Sequence, residues 1–123
     1  MKERPLVTVV EDNESVRESL PGLLRQFGFA ARAFSSAEEF LSSDCVRQTR
    51  CLILDIGMPG MTGLDLQQEL KLRGQTIPII FITGLMEQGI RNRALEQGAV
   101  RFLLKPVIDT VLLEAINAAL RGQ

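Results

Sequence analysis

Cys51-Leu52-Ile53-Leu54-Asp55-Ile56-Gly57-Met58-Pro59-Gly60 joins an apolar run to an acid and a turn. Cys51 to Leu54 is apolar at every position, as in a strand covered by helices on both faces. Asp55 ends it, and Gly57, Pro59 and Gly60 turn the chain. Two other apolar runs end in charge as well: Leu6 to Val10 leads into Glu11-Asp12, and Phe102-Leu103-Leu104 into Lys105. Together these strand ends make an acid-lined pocket with a cation beside it.

On either side of this run, helical and extended patterns alternate. After Asn13, a plausible N-cap, the residues Val16, Leu20, Leu23, Leu24 and Phe27 keep helical spacing up to Gly28, and Pro21-Gly22 is expected to bend or weaken this helix. A short strand spans Ala30 to Phe34, and Ser36 opens a helix with a capping box to Glu39. Thr62-Gly63-Leu64-Asp65 opens a further helix, carried by Leu66, Leu70 and Leu72, before Pro78 to Ile82 returns as a strand. A weakly amphipathic helix around Ile90 to Gln97 is closed by Gly98. A strand from Val100 to Leu104 and a helix from Asp109 to Arg121 complete the chain, the helix with Val111, Leu112, Ile116 and Leu120 inward.

Five strand-then-helix units predict an α/β fold, a doubly wound five-stranded parallel sheet of order 2-1-3-4-5 with five helices, flavodoxin-like in topology. Ligands in such folds bind beyond the carboxyl ends of the strands, where the winding reverses between strands 1 and 3. Glu11, Asp12 and Asp55 end those two strands.

Length and composition narrow the function. With 123 residues and 46% hydrophobic side chains, the sequence fits a single domain over 1–123. A net charge of −1 supplies no footprint for a phosphate backbone, so direct DNA binding is not expected of this segment. Histidine is absent, which excludes mechanisms that need an internal imidazole. Cys45 and Cys51 match no metal or redox spacing, and a reduced, cytoplasmic setting is expected. The short apolar run behind Lys2 and Arg4 ends in acids and is no signal peptide, and no run approaches the roughly 20 apolar residues of a membrane span.

Carboxylates gathered in one crevice repel each other and take up protons unless a cation compensates. With oxygen ligands only, Mg2+ is the expected ion. Thr83 at the end of the fourth strand adds a hydroxyl and Lys105 an ammonium, both suited to phosphate oxygens. A carboxylate nucleophile, a metal and two donors are the parts needed to form an aspartyl phosphate.

Glu11-Asp12, Asp55 with Met58-Pro59-Gly60-Met61-Thr62-Gly63, Thr83-Gly84 and Lys105-Pro106, in this order, resemble the receiver domain of two-component response regulators, in pattern most like the FixJ and LuxR type. The resemblance implies that Asp55 is the phosphoacceptor, and that Asp12, Asp55 and the Gly57 backbone carbonyl bind magnesium, with Glu11 acting mainly through water. It implies that Lys105 pairs with the acceptor and then with the phosphoryl group, and that Thr83 and an inward-turning Phe102 form the switch. The Lys105-Pro106 bond is expected to be cis. A histidine kinase is the implied partner, and a homodimer through the helix and strand of Glu87 to Leu104, anchored by exposed Ile90 or Val100, the implied output. DNA would be reached only through an output domain, and no helix-turn-helix is present in this sequence. Such a domain is no conventional enzyme: it catalyses its own phosphorylation from phosphodonors and its own slow dephosphorylation.

Departures from the pattern bear on timing. Leu85 stands where such regulators often carry histidine, and Gly57 replaces a side chain that usually overhangs the site. Among other readings, a haloacid-dehalogenase-type aspartyl-phosphate phosphatase needs a second aspartate two residues after the nucleophile, where Gly57 stands. An FMN binder lacks its phosphate loop and any Trp or Tyr to stack on flavin. A degenerate receiver used only for docking has no need of the full acid, Thr and Lys set.

Overall fold

The structure is a computed structural model, and it describes residues 4–84 and 87–122. Its elements alternate: β1 (Leu6–Val10), α1 (Glu14–Gln26), β2 (Ala30–Phe34), α2 (Ala37–Leu41), α3 (Cys45–Gln48), β3 (Thr49–Asp55), α4 (Gly63–Leu72), β4 (Ile79–Thr83), α5 (Gln88–Glu96), β5 (Arg101–Leu104) and α6 (Asp109–Arg121). The strands form one parallel sheet in the order β2-β1-β3-β4-β5, as the sequence predicts.

Strand side chains alternate between two apolar layers. Leu52, Leu54, Phe81 and Phe102 pack on one face with Phe40, Leu66, Leu70 and Ala94 from α2, α4 and α5. Val7, Val9, Cys51, Ile53, Ile80 and Ile82 pack on the other with Leu24, Leu112 and Ile116 from α1 and α6. Each fully buried Val, Leu or Ile contributes about 1.5–3 kcal/mol, so the central strands hold the site on the most stable part of the molecule.

Several expectations are corrected. The segment after β2 forms two short helices, α2 and α3, giving six helical elements among the described residues in place of five. Glu39 does not close a reciprocal box on Ser36: its Oε1 accepts from Ser35 N at 2.9 Å, although Ser36 Oγ does accept from Glu39 N at 3.0 Å. The reciprocal box occurs instead at Thr62 and Asp65, which start α4. α1 runs unbroken through Pro21, whose ring is buried. Leu72 is 77% exposed and Val111 43%, each off the inward stripe of its helix. No helix among the described residues is long and apolar enough to cross a membrane.

Candidate phosphoacceptor and metal site

The site begins where β1 ends. Glu11 N–H donates to Phe34 O at 3.0 Å, extending the ladder one residue past the strand, and Asn13 N–H donates to Glu11 Oε2 at 3.1 Å. Asn13 Oδ1 accepts from Val16 N at 3.3 Å and so starts α1, as the sequence predicts. Arg17, in the same helix, donates through Nη1 to the carbonyls of both Glu11, at 3.1 Å, and Asp12, at 3.2 Å.

Asp55 is held by the neighbouring strand. It lies in register with Ile82, and Ile56 N–H continues to Ile82 O at 3.3 Å. Gly63 N–H then closes the loop onto Ile56 O at 3.2 Å. A Cβ at Gly63 would stand 2.5 Å from Asp55 O, so only glycine lets the first turn of α4 approach this carbonyl. Glu38 of α2 steadies the same loop, accepting from Met61 N at 3.2 Å. At the other edge, Lys105 N–H donates to Thr83 O at 2.7 Å, and the Lys105-Pro106 bond is cis.

Because the strand ends are level, the acids converge. One oxygen each from Glu11, Asp12 and Asp55 lies within 4.8 Å of the others. Lys105 Nζ sits 2.7 Å from Glu11 Oε1 and 3.6 Å from Asp55 Oδ1, so its tighter partner is Glu11. Glu11 is fully buried and Asp55 6% exposed, whereas Asp12 is exposed. Burial, and then the hydrogen bond and charge of Glu11, push the Asp55 carboxyl up to about 7, against the pull of Lys105. Burial disfavours the charged form of Lys105, but Glu11 and Asp55 together outweigh it and raise its pKa above the ordinary value.

The arrangement suits a hard cation. The donors are oxygen only, and three carboxylates face one ammonium. The elevated Asp55 pKa marks a charge that burial and Glu11 disfavour.

The remaining predicted residues fall around this centre. Gly57 lies exposed in the loop after β3, with nothing within 4 Å of where its Cβ would be. Thr83 is buried at the end of β4, and strand alternation puts it on the face of Phe81 and Phe102. Phe102 is already inward, 9% exposed, its ring centroid 6.1 Å from that of Phe81. Ile90 and Val100 are half-buried, packed against the two apolar layers, and so are not the exposed anchors expected. Leu85 lies outside the described residues. Arg17, Glu38 and the close packing of Gly63 escape the sequence reading, because a basic or acidic helix residue looks the same whether solvated or bonded to a loop.

Comparison with known proteins points one way. Residues 7–117 match the family described as the response regulator receiver domain. Nodulation protein W of Bradyrhizobium diazoefficiens is 47% identical over 116 residues, which cover 94% of this chain and 51% of that protein. The crystal structure of FixJ-N is 38% identical and covers 100% of this chain and 98% of that one, with a TM-score of 0.87. The structure of response regulator StyR is 43% identical, with a TM-score of 0.89, covering 97% of this chain and 60% of that one. The chain spans about half the length of the curated relatives it matches, 51% for the first.

Proposed function

Because the chain belongs to the family of response regulator receiver domains, we propose that it accepts a phosphoryl group on Asp55 from a partner histidine kinase or a small acyl phosphate, and switches conformation in response. The observation that carries this reading is the convergence of Glu11, Asp12 and Asp55 within 4.8 Å, with Lys105 bridging two of them.

An ionised Asp55 oxygen attacks phosphorus, and an O–P bond forms. The P–N or P–O bond to the donor breaks, its electron pair leaving with the imidazole nitrogen or acyl oxygen. Asp12, Asp55 and the Gly57 carbonyl would hold magnesium, with Glu11 through water. When bound, the ion supplies positive charge against the carboxylates and the phosphoryl oxygens. Lys105 Nζ lies 3.6 Å from Asp55 Oδ1 and turns to the new phosphoryl oxygens without leaving Glu11. Lys105 N–H donates to Thr83 O, so the residues that carry the cation and the hydroxyl sit side by side at the strand ends. Gly57 has open space where a side chain would stand, so nothing from that position overhangs the loop after Asp55.

An aspartyl phosphate carries about −2 charge where the carboxylate carried −1, and it offers three acceptor oxygens that draw Thr83 toward Asp55. Thr83 and Phe102 share the sheet face covered by α5, so a shift of the threonine alters the packing beneath that helix. α5 and β5 are the output surface, where a second copy would dock. Leu104, 47% exposed, is its apolar anchor in place of Ile90 or Val100. Control of transcription would follow through a DNA-binding domain outside this segment. A cytoplasmic setting goes with this reading, since that is where a partner kinase would meet the domain.

Thermal unfolding with magnesium, with and without beryllofluoride, tests the reading. A working acceptor is stabilised by the phosphoryl mimic and Asp55→Asn is not. A receiver used only for docking gives no shift in either protein.

A further inference from the structure

Arg17 has no part in the chemistry described so far, yet it is bonded to both residues that open the acid site. Its Nη1 donates to the carbonyl oxygens of Glu11 and Asp12, at 3.1 and 3.2 Å. Charge-assisted bonds to two consecutive carbonyls fix the peptide planes on either side of Asp12, and with them the direction of its Cα–Cβ bond. The two acids differ in how much they need this. Glu11 is fully buried and its carboxylate is held by Lys105 and by Asn13 N–H. Asp12 is exposed, so its backbone must supply the orientation that packing does not.

We propose that Arg17 is a positioning residue of the metal site, which aims the Asp12 carboxylate from behind and thereby favours magnesium over calcium. The inference rests on the reading of Glu11, Asp12 and Asp55 as that site. Magnesium demands near-octahedral ligands at about 2.0–2.1 Å, whereas calcium accepts looser, longer and more variable coordination. A fixed Asp12 suits the first ion, and a wandering one penalises it more than the second.

Charge and position predict opposite signs here. A guanidinium beside the acids repels any cation, so if its charge were its whole influence, Arg17→Ala would bind magnesium more tightly and Arg17→Lys would match the wild type. If positioning dominates, both variants lose affinity: Arg17 meets both carbonyls from one terminal nitrogen at the end of a long, planar head, and lysine, shorter and with a freely rotating ammonium, does not hold its nitrogen at that place.

Isothermal titration of the metal-free protein with magnesium and, separately, with calcium decides it. Wild type, Arg17→Ala and Arg17→Lys are compared, each checked for folding by circular dichroism. Arg17→Lys carries the test if the alanine variant does not fold. The expected result is a loss of about tenfold in magnesium affinity with a smaller loss for calcium. Magnesium affinity that is unchanged or higher in Arg17→Lys, or parallel losses for both ions, overturns the inference and leaves the site itself standing. A wild type that binds no magnesium removes the site and the inference together.

Discussion

As the proposed phosphoacceptor, Asp55 meets two opposed demands: a nucleophile must be ionised, and a residue at the end of a central strand is buried. Its carboxyl is pushed up to about 7 by burial first and by Glu11 next. In the folded chain it therefore holds a proton that the unfolded chain releases near the ordinary value of 3.8. The sign follows: metal-free stability falls as pH rises from about 4 to about 7, since the folded state binds more protons across that window. Urea unfolding at a series of pH values should show this decline, with Asp55→Asn flattening it and added magnesium reversing it. A second prediction concerns Gly63. An alanine there would place Cβ 2.5 Å from Asp55 O, a backbone atom fixed by the sheet, so Gly63→Ala should cost about 1–3 kcal/mol in chemical denaturation and weaken magnesium binding. The acids, Lys105 and Thr83 were legible because charged and hydroxyl residues at the ends of apolar runs stand out. Gly63 was visible only as part of a motif, since the clash that requires it exists only once α4 is folded against β3.

At the scale of elements, periodicity found every strand and the long helices and erred where polar or very short segments intervene. β3 begins two residues before the apolar run, at Thr49, because the Thr49 hydroxyl is buried, bonded to Cys45 O and to Thr8 Oγ1, both at 2.7 Å. α3 covers only Cys45–Gln48, about one turn, and is too short for any periodic signal. α1 continues through Pro21 because Leu20, Leu23 and Leu24 still pack on the sheet and outweigh the lost backbone bond. Gly22, next to it, is exposed in a helix interior with open space around a would-be Cβ. Gly22→Ala should therefore stabilise the domain by about 0.5–1 kcal/mol, read as a rise in the thermal midpoint with no change in magnesium affinity. An unchanged or lower midpoint would mean that α1 is strained at Pro21 in a way its hydrogen bonds do not reveal.

For the whole molecule, two apolar layers hold the parallel sheet between them, and its level strand ends bring residues far apart in sequence into one crevice. Topology was readable because each apolar run is matched by a helix pattern of crossover length. The exposure of individual residues was not, since whether Ile90 or Val100 is covered depends on how helices and strands meet. The closed layers also predict inert thiols: Cys45 and Cys51 are buried, and burial pushes the Cys51 thiol up to about 12. A disulfide-exchange reagent should leave both unmodified in the native protein and react with both after denaturation. On our proposal this crevice makes an aspartyl phosphate, which intact-mass analysis after incubation with acetyl phosphate and magnesium would detect. One added phosphoryl group is expected, lost on treatment with hydroxylamine and absent when magnesium is chelated or Asp55 is replaced by Asn. Stoichiometric phosphorylation of the Asp55→Asn protein, or none in the wild type with magnesium present, would contradict it.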